Sequence, residues 1–183
     1  MFDLTCGAGR AMVVAEMGAG LAGLWCGDRP VLRPCADPGL AGPFDLALNI
    51  LAPFSNRIDH GFMFDGARQA IPPNLAGERY PIHGDAFQRA WEVEAMTGPV
   101  AVLRLEAGEI GPFRYAARLT YLLLPGALSV GLELLNRGPV TLPFGGGFHP
   151  WFPRNAATRV SGMALRDAGP DGQPRNTQPA VRS

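Results

Sequence analysis

From Phe113 onward, apolar residues fall on every second position: Phe113, Tyr115, Ala117, Leu119, Tyr121 and Leu123. Arg114, Arg118 and Thr120 lie between them. A period of two puts alternate side chains on opposite faces, so the segment reads as a strand with one wet face. Pro125-Gly126 supplies a turn, after which Leu128, Val130, Leu132 and Leu134 alternate with Ser129, Gly131 and Glu133. The two runs predict a β-hairpin, closed by Asn136-Arg137-Gly138-Pro139. Upstream, Trp91, Val93 and Ala95 alternate with Glu92 and Glu94, and Leu103 and Leu105 with Arg104 and Glu106. Gly and Pro recur too often to leave an uninterrupted helical window. The pattern predicts an all-β, antiparallel sandwich or barrel without a distinct domain boundary. Residues 166–183 are polar and rich in turn formers, and read as a loop or loose tail.

Composition narrows the chemistry. The 183 residues carry 16 basic and 16 acidic side chains, a formal net charge of zero. That balance provides no basic field for nucleic acid or an anionic membrane. All the basic residues are arginine. Schiff-base and P-loop mechanisms both need a lysine amine, so neither fits. Cys6, Cys26 and Cys35 are odd in number and widely spaced, which fits reduced thiols in a cytoplasmic protein. No signal-peptide pattern or membrane span is expected.

Two glycine runs invite comparison with nucleotide motifs. Gly18-Ala19-Gly20-Leu21-Ala22-Gly23 matches G-x-G-x-x-G, but Gly27, Asp28 and Pro30 leave no room for the helix whose N-terminus would hold a pyrophosphate. A glycine-rich turn between strands is the better reading. Gly145-Gly146-Gly147-Phe148-His149 lacks the Lys-Ser/Thr of a phosphate loop. Glycines there allow close approach of a backbone or ligand beside His149.

The histidines are His60, His83 and His149. His83 lies in Pro81-Ile82-His83-Gly84-Asp85 and His149 in Phe148-His149-Pro150-Trp151-Phe152, settings that suit the rim of a pocket. They are candidates for acid–base work; His60 reads as structural. No spacing supports a zinc site. Arg57, among the apolar residues of Pro53-Phe54-Ser55-Asn56-Arg57-Ile58, either pairs with a carboxylate or offers its donors to a ligand.

The ordered set Pro53-Phe54-Ser55-Asn56-Arg57-Ile58, Gly61-Phe62-Met63-Phe64-Asp65-Gly66, Asn74, Ile82-His83-Gly84, Trp91-Glu92-Val93 and Gly147-Phe148-His149-Pro150-Trp151-Phe152 resembles the aldose 1-epimerase (galactose mutarotase-like) family. The resemblance implies one antiparallel β-sandwich domain over 1–183. It implies interconversion of the α and β anomers of a free aldohexose such as galactose or glucose, with no cofactor or metal. His149 matches the general acid and His83 the second histidine, which bonds the sugar near its ring oxygen. Arg57 matches the arginine that holds sugar hydroxyls, and Trp151 a position where an aromatic ring packs on the sugar. The family's glutamate base and an aspartate that binds hydroxyls come later than the His-Pro-aromatic motif. None of Glu78, Glu92, Glu94, Glu106, Glu109 or Glu133 matches that base, nor Asp167 or Asp171 the aspartate. The expectation is a C-terminally truncated sandwich with impaired catalysis; the alternative is a non-catalytic carbohydrate-binding sandwich.

Overall fold

The computed structural model describes residues 1–39 and 42–159, and the backbone of four short strands beyond them. It divides into two compact units, Met1–Pro153 and Arg154–Ser183. In the first unit the chain runs β1 (Phe2–Cys6), β2 (Gly9–Val14), β3 (Gly20–Cys26), β4 (Arg29–Pro30), β5 (Leu48–Leu51), β6 (Gly61–Phe64) and β7 (Ala67–Ala70). It continues through β8 (Glu92–Thr97), β9 (Val100–Ile110), β10 (Phe113–Leu124), β11 (Ala127–Asn136) and β12 (Gly147–Pro150). Two 3₁₀ turns, Pro43–Asp45 and Ala86–Gln88, are the helical elements among the described residues.

The strands form a six-stranded sheet, ordered β1-β2-β3-β5-β12 with β4 on β3, and a four-stranded sheet, ordered β11-β10-β9-β8. Every pairing between these strands is antiparallel. One core joins the two sheets. Leu4, Val13, Leu21 and Ile50 from the first pack with Leu103, Tyr115, Leu119 and Tyr121 from the second. This is the antiparallel β-sandwich that the period-two pattern predicts. The odd positions of β10 are all buried, and β10 pairs with β11 from Leu124↔Ala127 back to Tyr115↔Asn136.

Two details depart from simple alternation. Val93 is exposed although it continues the register of buried Trp91, because β8 is an edge strand with a bulge between Val93 and Ala95. The register of β9 against β10 also shifts, between Tyr115 and Ala117. Gly108 sits at that irregularity, where an added Cβ would overlap the Tyr115 ring. Tyr115 therefore lies inward across a position that only glycine leaves open. On the wet face, Arg118 pairs with Glu94 and Glu133, and Arg104 with Glu92 and Glu106. Such exposed pairs contribute little each.

In the second unit, Gly162–Ala164 (β13) pairs with Ala180–Arg182 (β16), and Asp167–Ala168 (β14) with Pro174–Arg175 (β15). Of these, β14, β15 and β16 stand where the sequence suggests a loop; the remainder of 166–183 lies outside the described residues. The three cysteines are free thiols.

Candidate active site

The site starts from β5 and β12, which pair with His149 opposite Asn49. Directly paired residues share a face, so alternation puts Gly147, His149 and Trp151 on one side of the ladder. Trp151 continues the ladder by donating its N–H to the Ala47 carbonyl at 2.8 Å. The His149 ring stacks on Trp151, with centroids 4.9 Å apart and planes 29° apart. His83 meets His149 edge to face at 5.4 Å. Three of the four predicted site residues thus form one continuous row of rings, although His83 and His149 are far apart in sequence.

His83 is held by its loop. Both His83 and Asn56 adopt positive φ, 62° in each case, a conformation uncommon outside glycine. They exchange hydrogen bonds: the His83 N–H donates to the Asn56 carbonyl at 2.9 Å, and the Asn56 N–H to His83 Nδ1 at 3.1 Å. Gly84 follows at φ 69°, where a Cβ would collide with the Ala52 carbonyl. Asn74 clamps the same loop, donating to the carbonyls of Ile82 and Gly84 and accepting the Ile82 N–H. Asp85, 5% exposed, ties the loop to the core. It accepts from Tyr115 Oη at 2.6 Å, Arg89 Nε at 2.7 Å and the Glu109 N–H at 3.0 Å.

These bonds fix the chemistry of His83. Phe44 and Phe87 pack edge-on against its ring. Burial, with the charges of His149 and Arg57 adding to it and that of Glu78 opposing, pushes its pKa down to about 4. The imidazole is therefore neutral at pH 7. Since Nδ1 accepts from Asn56, Nε2 carries the hydrogen and is the ring's donor. An unfolded chain takes up a proton on this residue near pH 6.5, whereas the folded one waits until about 4. The unfolded state binds more protons in that window, so stability falls as pH drops from 6.5 toward 4. Discounted for partial exposure, the loss is on the order of 1–2 kcal/mol. Urea midpoints at pH 7 and pH 5 should differ by less in His83→Gln than in the wild type.

Arg57 takes the first of its two sequence-based readings: it pairs with a carboxylate. Its Nε and one terminal nitrogen donate to the two oxygens of Glu78 at 3.1 and 2.8 Å. Two of its five N–H groups are so used, which leaves donors for a ligand. The guanidinium holds the Glu78 carboxyl below its ordinary range. Arg57 bridges to Ile82, the residue before His83, so the pair is anchored on the backbone of the His83 loop.

Three participants were not legible in the motifs. Arg33 lies over the Trp151 ring at 4.9 Å and donates to the Phe44 carbonyl. Glu78 is 21 residues from the arginine it holds. Asn49, 3% exposed, has an Oδ1 with no hydrogen-bond partner. The signal for Asn49 was present: it is the lone polar residue of the apolar run 46–52. His60, read as structural, packs on Tyr80. Among the described residues no group of three or more His, Cys, Asp or Glu side chains could hold a metal ion. None of their helices is long and apolar enough to cross a membrane.

Known proteins share this arrangement of strands. A crystal structure of a candidate aldose 1-epimerase from Escherichia coli K12 superposes with a TM-score of 0.84 at 25% identity, covering 100% of this chain and 62% of that one. A galactose mutarotase related enzyme from Lactobacillus acidophilus, at 18% identity and TM-score 0.72, shares the fold over 98% of this chain and 61% of its own. In sequence, the uncharacterized protein YphB of E. coli K12 is 31% identical over 152 residues, 82% of this chain and 51% of YphB. The uncharacterized protein YihR of the same strain is 31% identical over 110 residues, 58% of this chain and 36% of YihR. The chain thus spans about half the length, or less, of these curated relatives. The family model for aldose 1-epimerase matches residues 1–174, and the chain belongs to that family.

Proposed function

We propose that this chain binds a free aldohexose, such as galactose or glucose, against His83, His149 and Trp151, and promotes interconversion of its α and β anomers. The observation that carries the reading is the histidine pair at 5.4 Å, in which His83 is kept neutral beside His149. Mutarotation needs a proton delivered to the ring oxygen and another removed from the C1 hydroxyl. His149, in its imidazolium form, delivers the first; the C1–O5 bond opens, C1–C2 rotates, and the ring closes on the other face. His83 Nε2–H donates to an oxygen near the ring oxygen without giving up its proton. Trp151 packs on the C–H face of the sugar, and the free donors of Arg57 take hydroxyls.

Glu78 is the carboxylate held by Arg57, and that bond makes it a weak base. We assign removal of the C1 proton to water or to a group outside the described residues. That assignment favours slow turnover, and it keeps a second reading in play, a sandwich that binds carbohydrate without converting it. Polarimetry on freshly dissolved α-D-galactose or α-D-glucose separates the two. Acceleration above the buffer rate supports the epimerase. Saturable sugar binding at the histidines without acceleration moves the chain to the binding reading.

A further inference from the structure

We propose that Asn49 is the positioning residue for His149: its Oδ1 accepts the His149 Nδ1–H, so that Nε2 is the nitrogen presented to the ligand. The inference rests on the reading of His149 as the proton donor. Asn49 and His149 are direct partners across the β5–β12 ladder. Side chains at such positions share a face, with Cβ atoms about 4.5–5.5 Å apart. Asn Oδ1 and His Nδ1 are both attached to Cγ, so they stand at the same height above the strands. The proposed bond asks only for a side-chain rotation that brings Oδ1 to Nδ1.

The case begins with the amide. Asn49 is 3% exposed, and its Oδ1 has no hydrogen-bond partner. Buried carbonyls are rarely left so, because the water they have lost must be replaced. The strand neighbours of Asn49, Leu48 and Ile50, are apolar and turn into the core. The imidazole across the ladder is the donor-bearing side chain directly opposite it. His149 also has a gap to fill. Its ring is placed by stacking on Trp151 and edge contact with His83, and neither fixes which nitrogen carries the proton. His83 has its tautomer set by the Asn56 N–H. Asn49 supplies His149 with the opposite arrangement, an acceptor at Nδ1. One histidine is then locked as a neutral Nε2–H donor. The other keeps an Nε2 that, once protonated, releases its proton outward while Nδ1–H stays bonded.

The test is the ring tautomer, read by long-range ¹H–¹⁵N correlation on labelled protein above pH 8 without sugar. Substituting each histidine in turn assigns the three imidazoles. His149 is expected as the Nδ1–H tautomer, and in Asn49→Ala it should move to Nε2–H, which free imidazole favours in water. In Asn49→Asp, nearly equal in shape, the carboxylate should raise the His149 pKa by about 1–3. The other charges near that ring are His83, Arg33 over Trp151, and the Arg57–Glu78 pair felt at His83. All are common to the variants. Circular dichroism checks the fold; if the alanine variant does not fold, the aspartate variant decides. A wild-type His149 in the Nε2–H form, or a pKa unmoved in Asn49→Asp, overturns the proposal. None of these readings depends on turnover, so failure of polarimetry counts against the epimerase reading, and failure of the tautomer test against the Asn49–His149 bond.

Discussion

On the proposed epimerase reading, His149→Gln is expected to abolish acceleration of mutarotation. A positioned general acid contributes ~10²–10⁴-fold, or about 3–5 kcal/mol of barrier. Glutamine is close in volume and keeps a hydrogen-bond donor above Trp151, so the loss would report proton delivery rather than a collapsed site. His83→Gln should cost less, on the order of 10-fold, because His83 is neutral at pH 7 and the proposal gives it only a donor's role. The contrast is the informative part. Equal losses in the two variants would mean that the histidines act as one structural unit. A full rate in His149→Gln would remove the proton donor from its assigned place. Initial rates by polarimetry at pH 7, with wild type and both variants at one concentration, make the comparison.

Asp85→Ala is expected to cost about 3 kcal/mol of stability, a large part of the 5–15 kcal/mol typical of a domain. The carboxylate accepts three hydrogen bonds while 5% exposed. Its removal strands the Glu109 N–H and leaves the Tyr115 hydroxyl only its long 3.3 Å bond to the Ala52 carbonyl. Arg89 is 42% exposed and can return to water, which holds the loss near the lower end of the range for a broken buried pair. Asp85→Asn retains shape and one acceptor, so about 1–2 kcal/mol is expected. Urea midpoints at pH 7 measure both, and an alanine variant as stable as wild type would show that the network is dispensable. Because His83 lies two residues away, the alanine variant should also shift the His83 imidazole resonances.

The sandwich was legible where burial has a strict period. β10 and β11 bury one face against the core, and a Pro-Gly turn sets their register, so sequence alone marks both strands. β5 was not legible in this way. All four of its residues are buried, and a continuous apolar run has no period to read. β12 was visible only through the glycine run that leads into it and its histidine, because four residues are too few for a pattern. Within the site, the local motifs marked His83, His149 and Trp151, since Gly, Pro and aromatic neighbours are sequence-adjacent signals. What holds them came from a distance. Asp85 is bound by Tyr115, 30 residues on, and Arg57 by Glu78, 21 residues on. Such partners are chosen by the fold, and no spacing rule exposes them.

A sugar ring lying against His83, His149 and Trp151 is tested most directly by titrating ¹⁵N-labelled protein with D-galactose and with D-glucose. Saturable shifts are expected in the His83 and His149 imidazoles and the Trp151 indole. Buried Trp91, Trp25 beneath Arg10, and His60 on Tyr80 should stay unmoved. Shifts that never saturate, or that centre on His60 or Trp25 while His83 and His149 remain still, would contradict it.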